Sequence, residues 1–137
     1  MKFDNLDDLF RYIEKQTKDV MKKEVADKAK QAMSEAVQSS VYDVYDPKYY
    51  TRRGKNGGLS DTNNYDVYEI PNGIEVVNNT PPDNGSSVDL DDIICNGLGQ
   101  QPFPRDFYKE TIDILNRSDD LRAALKEGLK ARGINAD

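Results

Sequence analysis

The sequence predicts an α+β fold, with a long N-terminal helix and C-terminal helices packed around a small antiparallel sheet with a β-hairpin. Three observations predict it. Apolar and small residues recur every three or four positions from Leu6 to Val37, with no Gly or Pro between them. Two short runs rich in Val, Ile and Tyr, residues 65–70 and 74–78, flank Pro71-Asn72-Gly73. Two more segments of helical period follow, residues 105–115 and the stretch after Ser118. A chain of 137 residues suits one domain, 1–137.

The first helix is expected over residues 4–39. Asp4 stands where a cap belongs, and Asp7 and Asp8 suit the positive end of the helix dipole. At 1.5 Å per residue such a helix is roughly 50 Å long. A domain of this size is only about 26–30 Å across. The helix therefore either breaks or projects and packs on another subunit; projection with oligomerisation is the expectation. Residues 41–45 read as a short strand closed by Pro47. Residues 46–63, with a Gly-rich tip at Gly54, Gly57 and Gly58, read as a flexible interaction loop.

For the hairpin, a three-residue loop is expected, with Gly73 in the left-handed conformation. That register pairs Ile70 with Ile74 and Tyr68 with Val76 on one face, and sets Glu69 against Glu75 on a wet face. A two-residue Asn-Gly loop would put Pro71 into the ladder, where it has no N–H to donate. Next, residues 88–95 suggest a short helix capped near Ser87 and stopped at Gly97-Leu98-Gly99. In the helix over 105–115, Phe107, Thr111 and Leu115 form one stripe, with Tyr108 and Ile112 beside it. The last helix starts at a Ser118 cap with Asp119 and Asp120 in its first turn. It carries Leu121, Leu125 and Leu129 on one stripe and ends at Gly133 followed by Ile134.

Composition narrows the chemistry. There is no His or Trp and one Cys. Histidine acid–base catalysis, histidine metal sites, thiolate zinc sites and an internal disulfide framework are thereby excluded. No run of 18 apolar residues suggests a membrane span, and the start Met1-Lys2-Phe3-Asp4 turns acidic at once, against a secretory leader. A single Cys fits a reducing compartment.

The net charge of −6 is unevenly placed. Residues 59–103 contain eight acidic side chains and no Lys or Arg, while residues 41–58 carry a net +2. Solubility is the plain reading of such a block; an oriented surface that repels DNA is the sharper one. A broad basic face for nucleic acid is lacking.

Each candidate site has a plain alternative. Asp89, Asp91 and Asp92 cluster, but the distal bidentate Glu of a calcium loop does not follow, so a helix start accounts for them. Gly97-Leu98-Gly99 is only a fragment of a dinucleotide fingerprint. Cys95 has no nearby base to activate it and reads as a core residue. Tyr42, Tyr45, Tyr49 and Tyr50 with Arg52 and Arg53 form an aromatic–basic cluster, which suits either a partner interface or ordinary packing. No catalytic, cofactor or metal site is expected.

The order of these pieces resembles the small tail-completion, or minor-tail, proteins of long-tailed bacteriophages and prophages, which act at the head–tail junction. The resemblance is carried by the long N-terminal helix and by Val41-Tyr42-Asp43-Val44-Tyr45-Asp46-Pro47 through Tyr50-Thr51-Arg52-Arg53. It continues in Gly57-Gly58-Leu59, Val77-Asn78-Asn79-Thr80-Pro81, Asp92-Ile93-Ile94-Cys95-Asn96-Gly97 and Gln101-Pro102-Phe103-Pro104-Arg105-Asp106-Phe107. It implies a non-enzymatic structural role in a ring that stacks on a neck or tail protein, without cofactor. It places the chain in the virion neck or tail, assembled in the host cytoplasm. On that reading Tyr45, Tyr49, Tyr50, Arg52 and Arg53 meet the next subunit or neighbouring ring. Asp66, Glu69 and Glu75 face a lumen through which DNA passes. An acidic DNA-mimicking inhibitor of a host nucleic-acid-binding protein is the alternative, prompted by the charge block. A hydrolase using carboxylates alone has no spacing to support it.

Overall fold

The computed structural model describes residues 2–47, 51–82, 87–98, 101 and 103–136. Its architecture is the expected α+β arrangement, with helices packed around one two-stranded antiparallel sheet.

The N-terminal helix is longer than its apolar pattern suggests. Helix α1 spans Leu6–Val20 and α2 spans Ala26–Val37. A π turn at Met21–Val25 joins them, and a second, Gln38–Tyr42, extends α2. Backbone angles stay right-handed helical at each junction, so the helical path from Leu6 to Tyr42 is unbroken. The first π turn has a visible effect on packing. The buried positions Val20 and Val25 are five apart, the spacing a π turn brings onto one side. Asn5, not Asp4, caps the start, its side chain accepting from the Asp8 N–H at 2.9 Å. Residues 41–42 are helical, so the strand expected over 41–45 is absent. The helix continues because Val41 is buried in the same core as Val37 and Met33.

Strand β1 (Tyr65–Ile70) pairs with β2 (Gly73–Asn78), with Ile70 opposite Gly73 and Glu69 opposite Ile74. The loop is therefore two residues, Pro71-Asn72, not three. Asn72 takes the positive φ of 64° that had been expected at Gly73. Proline fixes the first turn position near −65°, and Asn tolerates the second. Shifting one strand's pairing by a residue changes which side chains share a face. Tyr65, Val67 and Glu69 thus face inward with Ile74, Val76 and Asn78. Asp66, Tyr68 and Ile70 face outward with Glu75 and Val77. Gly73→Val should consequently be tolerated within about 0.5 kcal/mol by thermal melting. A Cβ there would meet nothing nearer than the Ile70 Cγ1 at 3.9 Å. Asn72→Val should cost about 1–2 kcal/mol, because it forces a β-branched residue into left-handed space.

Helices α3 (Leu90–Asn96), α4 (Phe107–Arg117) and α5 (Asp120–Ala131) complete the chain. Asp89 occupies the cap position of α3, and Asp119, not Ser118, that of α5. Asp106 caps α4 by accepting from the Lys109 N–H. Within α4, Ile112 points outward and Ile114 packs inward. As expected, α5 ends in a left-handed Gly133, with the Ile134 N–H donating to the Leu129 carbonyl at 2.9 Å.

Two apolar clusters lie along the helical rod. The larger holds Met33, Val37, Val41, Leu59, Tyr65, Ile94 and Phe107. The smaller joins Val20 and Val25 to Ala124 and Leu129 of α5. Close approach of α5 to the rod depends on Gly128, where a Cβ would lie 2.4 Å from the Val20 Cγ1. Val20 is stiff and fully buried, so it cannot swing aside. Gly128→Ala should therefore destabilise by about 1–3 kcal/mol in urea unfolding, despite alanine's better helix propensity. Beside this contact, Arg132 donates to Glu24 at 2.9 Å and holds its carboxyl below the ordinary value of 4.5. A depressed carboxylate stabilises the fold above its unfolded pKa and loses that contribution as pH falls through the folded one. Glu24→Gln should lower the melting temperature at pH 7 and flatten its dependence on pH below about 5.

Candidate interaction surface

The segment expected to be a flexible loop is, where described, a series of hydrogen-bonded turns. The Gly58 N–H donates to the Gly54 carbonyl at 3.1 Å, and the Asp61 side chain accepts from the Gly57 N–H at 2.7 Å. Leu59 is buried in the main core. Its carbonyl accepts from the Tyr65 hydroxyl at 2.8 Å and from the Asn78 side chain at 2.9 Å. Asn78 is 1 % exposed and its oxygen accepts from the Thr80 hydroxyl at 2.5 Å. A buried, satisfied network of this kind fixes one geometry. It ties the turn segment to the hairpin.

Above this network sits a cavity of about 340 Å³. The end of the helical rod (Val41, Tyr42) forms one wall, and Ile93 and Ile94 of α3 form another. Arg52, Arg53 and Arg105 also line it. Arg52 donates to the Tyr42 carbonyl at 3.0 Å and to that of Tyr45, and its guanidinium lies 4.6 Å from the centre of the Tyr42 ring. Arg53 donates to the Pro81 carbonyl at 2.7 Å. Arg105 is 4 % exposed and reaches the Val41 carbonyl at 3.3 Å and the Gln101 side chain. Its guanidinium lies 5.3 Å from the Tyr45 ring centre.

Of the expected interface residues, the structure thus brings Tyr45, Arg52 and Arg53 together. Tyr49 and Tyr50 lie outside the described residues. Arg105 was missed: flanked by Pro104 and Asp106, it carries no periodic signal of burial. The three acidic residues expected to share a lumen do not share a face. Asp66 and Glu75 are exposed on the outer side of the sheet. Glu69 lies on the inner side, within 3.7 Å of Lys18 and 3.5 Å of Lys22. Asp66 and Glu69, three apart on one strand, lie on opposite faces in any register, and the one-residue change of register parts Glu69 from Glu75.

The remaining candidates have structural partners. Asp89, Asp91 and Asp92 place carboxylate oxygens within 4.8 Å of one another. Asp91 spends one oxygen on the Tyr108 hydroxyl at 2.5 Å and the other on the Asp92 N–H at 2.9 Å. The Tyr108 oxygen in turn accepts from the Asn78 N–H, linking α3 and α4 to the hairpin. Burial, then the bond to Asp91, raises the Tyr108 pKa. Burial pushes the Cys95 thiol up to about 11, so it stays protonated at neutral pH. No helix among the described residues is long and apolar enough to cross a membrane.

Fold and surface define a small α+β protein with an arginine-lined apolar cavity at one end of a long helical rod. The chain belongs to the YomN family, which it matches over residues 5–131. That family name is associated with bacteriophages and prophages, which places the chain among phage-derived proteins. No curated protein and no solved structure is significantly similar to it.

Proposed function

We propose that the chain is a structural assembly protein of a long-tailed phage or prophage, completing the tail or joining it to the head as part of a ring. The observation that carries this reading is the far end of the helical rod. Leu6 and Phe10 are 68 % and 59 % exposed there. Large apolar side chains side by side on one exposed helix face suit burial against a partner. Phage kinship and the order of sequence elements supply the kind of partner: another subunit of the particle. Assembly of this type needs no cofactor and no reacting group. It runs on apolar burial with Tyr and Arg contacts at the centre.

Particles produced with the gene deleted should contain heads and tails that are not joined, or tails of irregular length, by electron microscopy. Joined, regular particles would remove the proposal. Recovery of a host nucleic-acid-binding protein with the tagged chain, in place of virion proteins, would favour the DNA-mimic reading.

A further inference from the structure

Strand β1 is a sheet edge with open backbone groups. The two-residue loop closes on the pair Ile70–Gly73, which exchanges its backbone bonds across the hairpin. Alternation then assigns the ladder bonds of β1 to Ile70, Tyr68 and Asp66. Just beyond the strand, in the same phase, the Asn79 N–H donates to the Asn64 carbonyl at 2.9 Å. Val67 and Glu69 therefore aim their N–H and C=O groups away from β2. Among the described residues nothing bonds to those four groups. The far edge of β2 differs: its Asn78 N–H donates to the Tyr108 hydroxyl at 3.0 Å, and Val76 packs on the main core. Proteins blunt an open edge with Lys, Pro or a bulge. None lies on β1, whose register runs without a break from Tyr65 to Ile70, with Pro71 in the turn. Its one inward charge, Glu69, is met by Lys18 and Lys22 of the rod. Tyr68 and Ile70, on the outer face, are 47 % and 43 % exposed.

We propose that β1 of one copy pairs antiparallel with β1 of a second copy about a two-fold axis at Tyr68, joining two hairpins into one four-stranded sheet. The open groups set this register. Val67 falls opposite the partner's Glu69, and Glu69 opposite the partner's Val67, so the four open groups of each copy are all used between them. Tyr68 meets the partner's Tyr68 across the axis, an aromatic cross-strand pair. Asp66 falls opposite the partner's Ile70, and Glu75 is a strand's width away on β2, so no like charges stand directly opposite. Pairing about Val67 instead would call on the Tyr65 N–H, which already donates to the Thr62 carbonyl. A lone two-stranded hairpin is marginal, and further strands strengthen it. The contact is isologous and closes at two copies. It goes beyond the assembly role and does not rest on it.

The test uses the full chain in sedimentation velocity and native mass spectrometry, where the wild type should form dimers. Val67→Pro removes an N–H that β2 does not use, so the hairpin should survive. Self-association should nevertheless weaken at least about tenfold. A second measurement does not depend on that proline being tolerated. Cys95→Ser first removes the one native thiol. In that background Tyr68→Cys places two α-carbons about 4.5 Å apart in the dimer, within reach of a disulfide. Ile70→Cys leaves them at least roughly 13 Å apart along the strands. Under a mild oxidant the first should cross-link into dimers and the second should not. A wild type monomeric at millimolar concentration, a folded Val67→Pro that dimerises like the wild type, or cross-linking through Ile70→Cys as fast as through Tyr68→Cys would each overturn the pairing.

Discussion

Phe107→Ala should destabilise the protein by about 3–5 kcal/mol, a large fraction of the 5–15 kcal/mol typical of a whole domain. Phe107 is 0 % exposed and opens α4 directly after its Asp106 cap. Its ring lies 4.6 Å from that of Tyr108 and shares a cluster with Met33, Val37, Leu59 and Tyr65. Those neighbours come from the helical rod, the turn segment and the hairpin. They are fixed by separate hydrogen bonds, so they cannot collapse into the space a phenyl ring leaves, and the cavity term adds to the lost transfer energy. Urea unfolding should show a lower midpoint with an unchanged slope. Ile112→Ala on the same helix is the control: Ile112 is 59 % exposed, and its loss should stay within about 0.5 kcal/mol. Equal losses at the two positions would mean that α4 is not docked by Phe107.

The fold was legible where one periodicity ran unopposed. The three-to-four spacing from Leu6 to Val37, the paired β-rich runs and the Leu121, Leu125, Leu129 stripe each specified an element that the structure contains. Where two local rules compete, propensity alone misleads. Val41, Tyr42, Val44 and Tyr45 are good strand residues, and that propensity suggested a strand. Burial of Val41 beside Val37 outweighed it and kept the chain helical. At the hairpin, glycine's freedom suggested Gly73 for the left-handed position. A turn begun by Pro71 instead puts Asn72 there, and the whole register follows. Ile112, expected beside the α4 stripe, is exposed and Ile114 packs against the core, because spacing alone does not decide the edge of a stripe.

The surface was less legible than the fold, because it is assembled from distant segments. Tyr45, Arg52 and Arg53 were visible as a local cluster. Nothing local connects the two arginines with Arg105, about fifty residues on, or with Ile93, yet one cavity collects Arg52, Arg53, Ile93 and Arg105. Composition around the Gly-rich tip could not disclose that the Leu59 carbonyl beside it accepts from Tyr65 and Asn78. The acidic block was a true feature of the chain, but a strand sends alternate residues to opposite faces. A run of acidic positions along a hairpin is therefore no guarantee of an acidic surface.

Gly97→Val should cost about 2–6 kcal/mol in stability. Two separate penalties meet at this residue. Gly97 ends α3 in the left-handed region, at φ 65° and ψ 38°, while the Leu98 N–H closes the helix on the Ile93 carbonyl at 3.0 Å. A β-branched residue resists that conformation. The second penalty was invisible in the sequence: a Cβ at Gly97 would lie 2.7 Å from the Pro104 nitrogen and 2.9 Å from the Phe103 carbonyl carbon. Those are backbone atoms, so relief requires moving the segment that delivers Arg105 to the cavity. The Arg105 N–H bond to the Ile94 carbonyl, 3.0 Å long, would be strained by that movement. Gly133 separates the two penalties. It too is left-handed, at φ 81°, but a Cβ there would meet nothing within 4 Å. Gly133→Ala should thus carry the conformational cost alone, about 1 kcal/mol. Gly97→Ala should exceed it by the cost of the close approach, a further 1–3 kcal/mol or so. Equal losses in urea unfolding would mean that residues 103–104 give way freely, and that the cavity wall they support is not held by Gly97.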